Sequence, residues 1–336
     1  MKAVIQQKYG SPEVLSVAEI PAPSPGPDDL LVRVQATSIS EGDRRIREAD
    51  FPGWFMSAVG RLMFGLTGPR RQVRGTSFSG RVVAIGARVT GFSVGDAVYG
   101  LADDGAAAEL VVVKASSAVA PIPPGVDFAE AAALPYGLLT AHTFLRDAGG
   151  VAAGDRVLVL GASGGVGRFV VQLAKRAGAH VTGVAGPGRA DLLRTLGADV
   201  YVDYTREDVH GRGQQYDLVF DTTLDVRFRD VRPLLTPQGR FLTLGMTLDS
   251  VGAMLFNPLR GGQRVHTGVS LPTRAVLDEV HALVAEGAVR PVLAARYPLA
   301  DIVEAHRHHD QRRGGTVVVE VAPRVGVPLT EVRASA

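Results

Sequence analysis

Seven residues, Gly161 to Gly167 (GASGGVG), separate an apolar run, Val157–Leu160, from apolar residues at helical spacing, namely Val166, Phe169, Val170 and Leu173. The run before the glycines has the length of a buried strand, and the spacing after them is that of one helix face. Strand, glycine turn and helix in that order make an anion-binding device. Gly164 lets the backbone approach a pyrophosphate, Gly167 lets the helix close on the strand, and the helix N-terminus offers N–H groups that lack partners. The chemistry expected here is the holding of a dinucleotide. The strict G-x-G-x-x-G pattern is not met, because Ala162 holds its first glycine position. The same residues also fit G-x-S-x-G (Gly161, Ser163, Gly165), the elbow that presents a serine nucleophile. Asp221 and His266 follow in the order a hydrolase would need, with nothing else in the chain to support them.

The elements around this turn read as two kinds of architecture. Residues 1–123 carry short β-branched runs at Ala3–Gln6, Leu30–Ser38, Gly80–Ile85, Ala97–Leu101 and Glu109–Val113, broken by Gly, Pro and Asp turns. Strands at this spacing suggest a small barrel. Between them Phe51–Leu66 is rich in aromatics and Met, and reads either as a loop tucked into the core or as an apolar lip over a substrate pocket. PIPPG at 121–125 marks a boundary, followed by helical stretches at Asp127–Leu134 and Leu138–Asp147. Strands are then expected at Arg156–Gly161, His180–Ala185, Val200–Asp203, Asp217–Asp221 and Arg240–Gly245, with helices at Gly165–Ala177, Arg189–Leu196 and Asp225–Leu235 between them. Alternation of this kind means a parallel, doubly wound sheet in an α/β fold. Gln263–Val269 reads as a further edge strand, and Thr273–Glu286 and Leu299–Arg313 as amphipathic helices. A last strand, Thr316–Val321, is expected to rejoin the N-terminal barrel, and the tail Arg324–Ala336 has no periodicity.

The totals exclude several classes. The chain has 336 residues, 46% apolar and 21% charged, with a net charge of +2 and no cysteine. That charge gives no broad basic surface for nucleic acid, and the missing cysteine removes disulfides, thiolate metal sites and a Cys nucleophile. No apolar run is long enough for a membrane span and the first residues lack a signal-peptide pattern, so a soluble cytoplasmic protein is expected.

Several stretches in order resemble the medium-chain dehydrogenase/reductase superfamily, in its zinc-free quinone oxidoreductase branch. They are MKAVIQQKYGSPEVL at the start, GRVVAIGARVTGFSVGDAVYG (80–100), AAALPYGLLTA (131–141), GASGGVG (161–167), LGADVYVDY (196–204) and VRPVLAARYPLADIVEAH (289–306). The resemblance implies a GroES-like barrel built from both chain ends (1–123 plus 266–336), a Rossmann domain between them (124–265), an active site in the cleft and a homodimer through the Rossmann edge strand. It also implies a cofactor site at Thr140, Ser163, Gly164, Gly165, Val166, Gly186, Arg189 and Tyr204.

Cofactor choice is readable from charge. An NAD-binding unit places a carboxylate at the end of its second strand, whereas here that strand runs into Ala185, Gly186, Pro187, Gly188 and Arg189. An arginine suits an anionic 2′-phosphate. Arg189 and Tyr204 look like the family's basic residue and tyrosine on that phosphate, so NADPH is expected. On the substrate side, Ser40 stands where zinc-dependent relatives carry a cysteine, and the chain supplies no thiolate. Hydride transfer without a metal is easiest to an activated acceptor, a quinone or a C=C conjugated to a carbonyl, with hydrogen-bond donors meeting the developing negative charge. Candidate catalytic residues are Asp43, Tyr136 and Ser40, with Asp43, Tyr136 or water as the proton donor. Arg45 replaces a frequent tyrosine of the family. A small apolar substrate is therefore expected, with a non-catalytic NADPH-binding redox sensor as the competing class. His306, His308, His309 and Asp310 are metal-ligating types, but they sit in a charged stretch and are expected to form a solvated helix face.

Overall fold

The computed structural model describes residues 1–51, 53–148, 150–224, 226–256, 262–268, 273–311 and 314–321. Its N-terminal part contains β1 (Lys2–Gln6), β2 (Leu15–Glu19), β3 (Asp29–Ile39), α1 (Glu41–Glu48), α2 (Gly53–Phe64), β4 (Ser77–Ile85), β5 (Ala97–Leu101), β6 (Leu110–Lys114) and β7 (Val119–Pro121). The eleven-residue β3 is the spine of this half. One of its edges pairs along its length with β4. The other is shared end to end by β6, opposite residues 29–33, and by the C-terminal strand Thr316–Glu320, opposite residues 36–39. Val32, Val34, Phe78, Val98, Val111, Val317 and Val319 fill the interior, so residues from both chain ends share one barrel core. The return of the last strand to the barrel agrees with the sequence expectation.

Two helices, α3 (Phe128–Ala132) and α4 (Pro135–Asp147), lead into the second half. There follow β8 (Arg156–Leu160), α5 (Gly167–Arg176), β9 (His180–Ala185), α6 (Ala190–Thr195), β10 (Val200–Asp203), β11 (Tyr216–Asp221), α7 (Phe228–Val231), β12 (Leu235–Thr243), α8 (Leu248–Phe256) and β13 (Arg264–Thr267). The sheet order is β10-β9-β8-β11-β12-β13, every pair parallel. Counted within the sheet this is 3-2-1-4-5-6, the Rossmann order, whose direction reverses between β8 and β11. Burial of Val157, Leu158, Val159, Val181, Leu218, Val219 and Phe220 explains the continuous apolar runs. The chain closes with α9 (Arg274–Ala285), β14 (Leu293–Pro298), α10 (Ile302–Asp310) and β15 (Thr316–Glu320). The expected domain boundary at 265/266 falls inside β13, which stays in the parallel sheet, and α9 packs into the same core through Val276, Leu277 and Val280.

Three local expectations change. Phe51–Leu66 contains a helix, α2, in place of a loop. The helix expected over Asp225–Leu235 is only the short α7 and one tighter turn, because Pro233 interrupts it and β12 begins at Leu235. Short strands β2, β7 and β14 appear where no pattern was read. The tail 324–336 and Val269 lie outside the described residues. Among the described residues, no helix is long and apolar enough to cross a membrane.

Candidate active site

The glycine turn sits where the sheet order reverses. Gly161 has φ of 76°, and a Cβ there would come within 2.7 Å of Thr222 Oγ1, so only glycine fits. A Cβ on Gly167 would come within 2.3 Å of the Gly161 carbonyl oxygen, which is why α5 can begin directly behind the strand end. Gly164 and Gly165 are exposed, and nothing stands within 4 Å of a Cβ placed on Gly165. Among the described residues, the backbone N–H groups of Gly165 and Val166 meet no backbone acceptor. The side chain of Val166 is buried, so its part in an anion site would be its main chain. The Gly164 N–H closes the turn by donating to the Gly161 carbonyl at 2.9 Å, so the open N–H cradle at the start of α5 is that of Gly165 and Val166, with Ser163 and Gly164 beside it.

At the end of β9, Tyr201 Oη donates to the Gly186 carbonyl at 2.6 Å, and the Tyr204 hydroxyl lies 3.4 Å from where a Gly186 Cβ would stand. Tyr204 is 65% exposed and free to meet a ligand. The Arg189 guanidinium rests on Gly314, 3.3 Å from a Cβ placed there, and among the described residues it has no acidic partner. The nearby Asp203 is held in its own turn by the N–H and O–H of Thr205, which lower its pKa. The second-strand terminus therefore presents a cation and a phenol, with no carboxylate on the strand end itself.

The three candidate catalytic residues gather around the start of α1. Ser40 is the N-cap of α1: Asp43 N–H donates to Ser40 Oγ at 3.1 Å, while Ser40 N–H and O–H donate to Asp43 Oδ2 at 2.8 and 2.6 Å. This reciprocal capping box satisfies helix-end donors, and both side chains are buried. Tyr136, in the first turn of α4, reaches across to it. Its hydroxyl lies 2.8 Å from the position a Gly42 Cβ would take. Burial, then the charges of Asp43 and Glu41, push its pKa up to about 12, against the lowering effect of Arg45 and of the Gly42 N–H. Tyr136 therefore keeps its proton at neutral pH. Thr140 Oγ1 donates to the Tyr136 carbonyl at 2.7 Å, which leaves its oxygen able to accept.

Two family models match, an "Alcohol dehydrogenase GroES-like domain" over residues 26–124 and a "Zinc-binding dehydrogenase" over 196–319. A quinone oxidoreductase of Pseudomonas aeruginosa is 31% identical over 93% of this chain and 97% of its own length. The chain belongs to the medium-chain dehydrogenase/reductase superfamily, in its quinone oxidoreductase-like branch. A 2-methylene-furan-3-one reductase of Solanum lycopersicum is 33% identical over 66% of this chain and 57% of its own. The solved quinone oxidoreductase of Coxiella burnetii superposes with a TM-score of 0.84 and 27% identity, over 96% of this chain and 99% of that one. Membership makes the chain an oxidoreductase with the GroES-like and Rossmann parts described above.

The zinc named for one of those family models does not fit the residues present. There is no cysteine, and the Ser40 hydroxyl is committed to Asp43. Among the described residues, no three His, Cys, Asp or Glu side chains cluster as metal ligands. The histidine-rich stretch is not the solvated face expected of it. His306 is 5% exposed, facing the barrel with Ile302 and Ala305, and its Nδ1 accepts from Arg47 Nη1 at 2.9 Å. Arg47 also pairs with Asp310 at 2.7 Å. A buried guanidinium needs these acceptors, which is why the polar face of α10 turns inward. Nor do the residues support a hydrolase relay: Asp221 accepts from Thr223 and Thr243, while His266 packs edge-on against Phe144 with centroids 5.3 Å apart. Sequence reasoning missed Gly42 and Thr222, although Gly161 beside a second Thr-bearing strand end is a signal for the latter.

Proposed function

We propose that the chain is an NADPH-dependent, metal-free oxidoreductase that reduces a small apolar quinone or α,β-unsaturated carbonyl. The observation that carries the cofactor choice is Arg189, a cation without an acidic partner among the described residues, on a strand end that lacks a carboxylate. A carboxylate there would repel a 2′-phosphate, and a guanidinium fork fits one. The N–H cradle at Gly165 and Val166, with Ser163 and Gly164 beside it, suits the pyrophosphate, Arg189 with Tyr204 over Gly186 the 2′-phosphate, and Thr140 the nicotinamide end.

Bound NADPH supplies the hydride. The chain's own residues meet the charge that then develops on the substrate oxygen. Tyr136, protonated across the neutral range, donates its O–H to that oxygen, and water returns the proton to the phenol. The Ser40–Asp43 box holds α1 in place beneath it, with the Ser40 hydroxyl donating to the Asp43 carboxylate. Two electrons and one proton from the cofactor, with one proton from the protein, balance either a quinone-to-quinol or an enone-to-ketone reduction. The relatives named as a quinone oxidoreductase and a furanone reductase support both acceptor classes. A homodimer through the β13 edge and a substrate side made from the barrel residues complete the reading. Calorimetric titration with NADPH and NADH tests the cofactor assignment: NADPH binds at least tenfold more tightly, and equal affinities would overturn it.

The competing reading is a cofactor-binding sensor without turnover. The engagement of Ser40 and Asp43 with each other favours it. Saturable NADPH binding with no oxidation by any acceptor would establish it.

A further inference from the structure

We infer that Gly42 is a positioning residue for Tyr136: its lack of a side chain lets the phenol seat against the first turn of α1, where the O–H is left to donate to the substrate. The inference rests on the reading of Tyr136 as proton donor and adds the residue that aims it. Gly42 is the second residue of α1, where a backbone N–H has no partner within the helix. The Asp43 N–H of the same turn is taken by Ser40 Oγ, and the phenol packs against the backbone of Gly42 beside it. Seated there, the phenol O–H donates to no acceptor among the described residues and remains available to a ligand.

The side chain that position 42 lacks is what makes room for the phenol. A Cβ there would stand 2.8 Å from the hydroxyl, 3.1 Å from Cε2 and 3.2 Å from Cζ. Glycine weakens a helix by roughly 1 kcal/mol relative to alanine. In an eight-residue helix whose other devices are caps and ion pairs, the weak residue sits at the one point where the phenol touches. Alanine would strengthen α1 locally and displace the tyrosine.

Two measurements test this. The first needs no turnover: ultraviolet difference titration of the phenolate, G42A against G42A/Y136F and wild type against Y136F, up to about pH 11. Tyr136 contributes almost no phenolate in the wild type, and in G42A, displaced toward water, it titrates nearer an ordinary tyrosine. Identical titrations in the two backgrounds would overturn the inference. The second is a kcat cycle with NADPH and a quinone. Y136F and G42A each lower kcat about 100-fold, and the double variant is no slower than Y136F. Independent, multiplying losses would overturn the positioning role. A Y136F enzyme with undiminished kcat would instead remove the donor reading, while the titration still decides whether Gly42 holds the phenol. If G42A alone does not fold, recovery of folding in G42A/Y136F shows the clash at the hydroxyl, and failure of both variants counts against it.

Discussion

Arg47 and His306, 259 positions apart in sequence, meet at 2.9 Å inside the barrel and join α1 to α10. Burial holds the His306 pKa well below its ordinary 6.5, and Arg47, His309 and Arg74 push it the same way. The native imidazole is neutral and accepts the Arg47 proton donor. Below about pH 6.5 the unfolded chain binds a proton here that the native protein does not, so stability falls with pH through that window. H306Q keeps an acceptor for Arg47 and should lose less stability than the wild type between about pH 7 and 5 in urea melts. Parallel losses would place the acid sensitivity elsewhere.

Tyr136 sets the expected pH profile of turnover. With its pKa raised to about 12, it stays protonated throughout the working range. Steady-state kcat should be flat with respect to this group from about pH 6 to 9, and Y136F should lower kcat about 100-fold with a smaller change in KM.

Arg189 should govern cofactor preference. R189A is expected to raise the KM for NADPH by about 10- to 100-fold, the range of a lost charge-assisted hydrogen bond, and to leave that for NADH nearly unchanged. Equal losses for both cofactors would mean that the guanidinium supports the loop and not the phosphate.

The glycines of the cofactor turn should separate into two classes. G167A forces α5 away from the Gly161 carbonyl and should cost about 1–3 kcal/mol of stability in denaturant unfolding. G165A meets nothing within 4 Å, so the fold should keep its stability while cofactor affinity falls through lost backbone approach. S40A removes one cap bond of α1 and should cost about 1 kcal/mol.

What could be read from sequence depended on whether apolar periodicity carried the element. Val157–Leu160 and Val181–Ala185 are apolar because they are buried on both faces, and the expected strands His180–Ala185 and Val200–Asp203 match the observed ones residue for residue, although β10 lies at the sheet edge and buries only Val202. In α1 (EGDRRIRE) the buried residues are Asp43 and Arg47, so no hydrophobic stripe announces a helix. Its signal was the capping pattern Ser40-x-x-Asp43. His306 misled for the same reason: a polar residue at i+4 from Ile302 shares its buried face, and the neighbouring charges hide it. Ser40, Asp43 and Tyr136 could be singled out from their stretches, but their convergence at α1 could not, because it depends on how α4 lies across the barrel. Gly42 had no sequence signal at all, since only the approach of the Tyr136 phenol gives that glycine a role.

The most direct test of the account is loss of reduced-nicotinamide absorbance, with NADPH and NADH in parallel, over a quinone, an enone, an enoyl thioester and a plain aldehyde, with chelator present throughout. The account predicts chelator-insensitive oxidation of NADPH by the quinone or the enone, slower with NADH and absent with the aldehyde. Turnover of the aldehyde that chelator abolishes, or a preference for NADH, would contradict it.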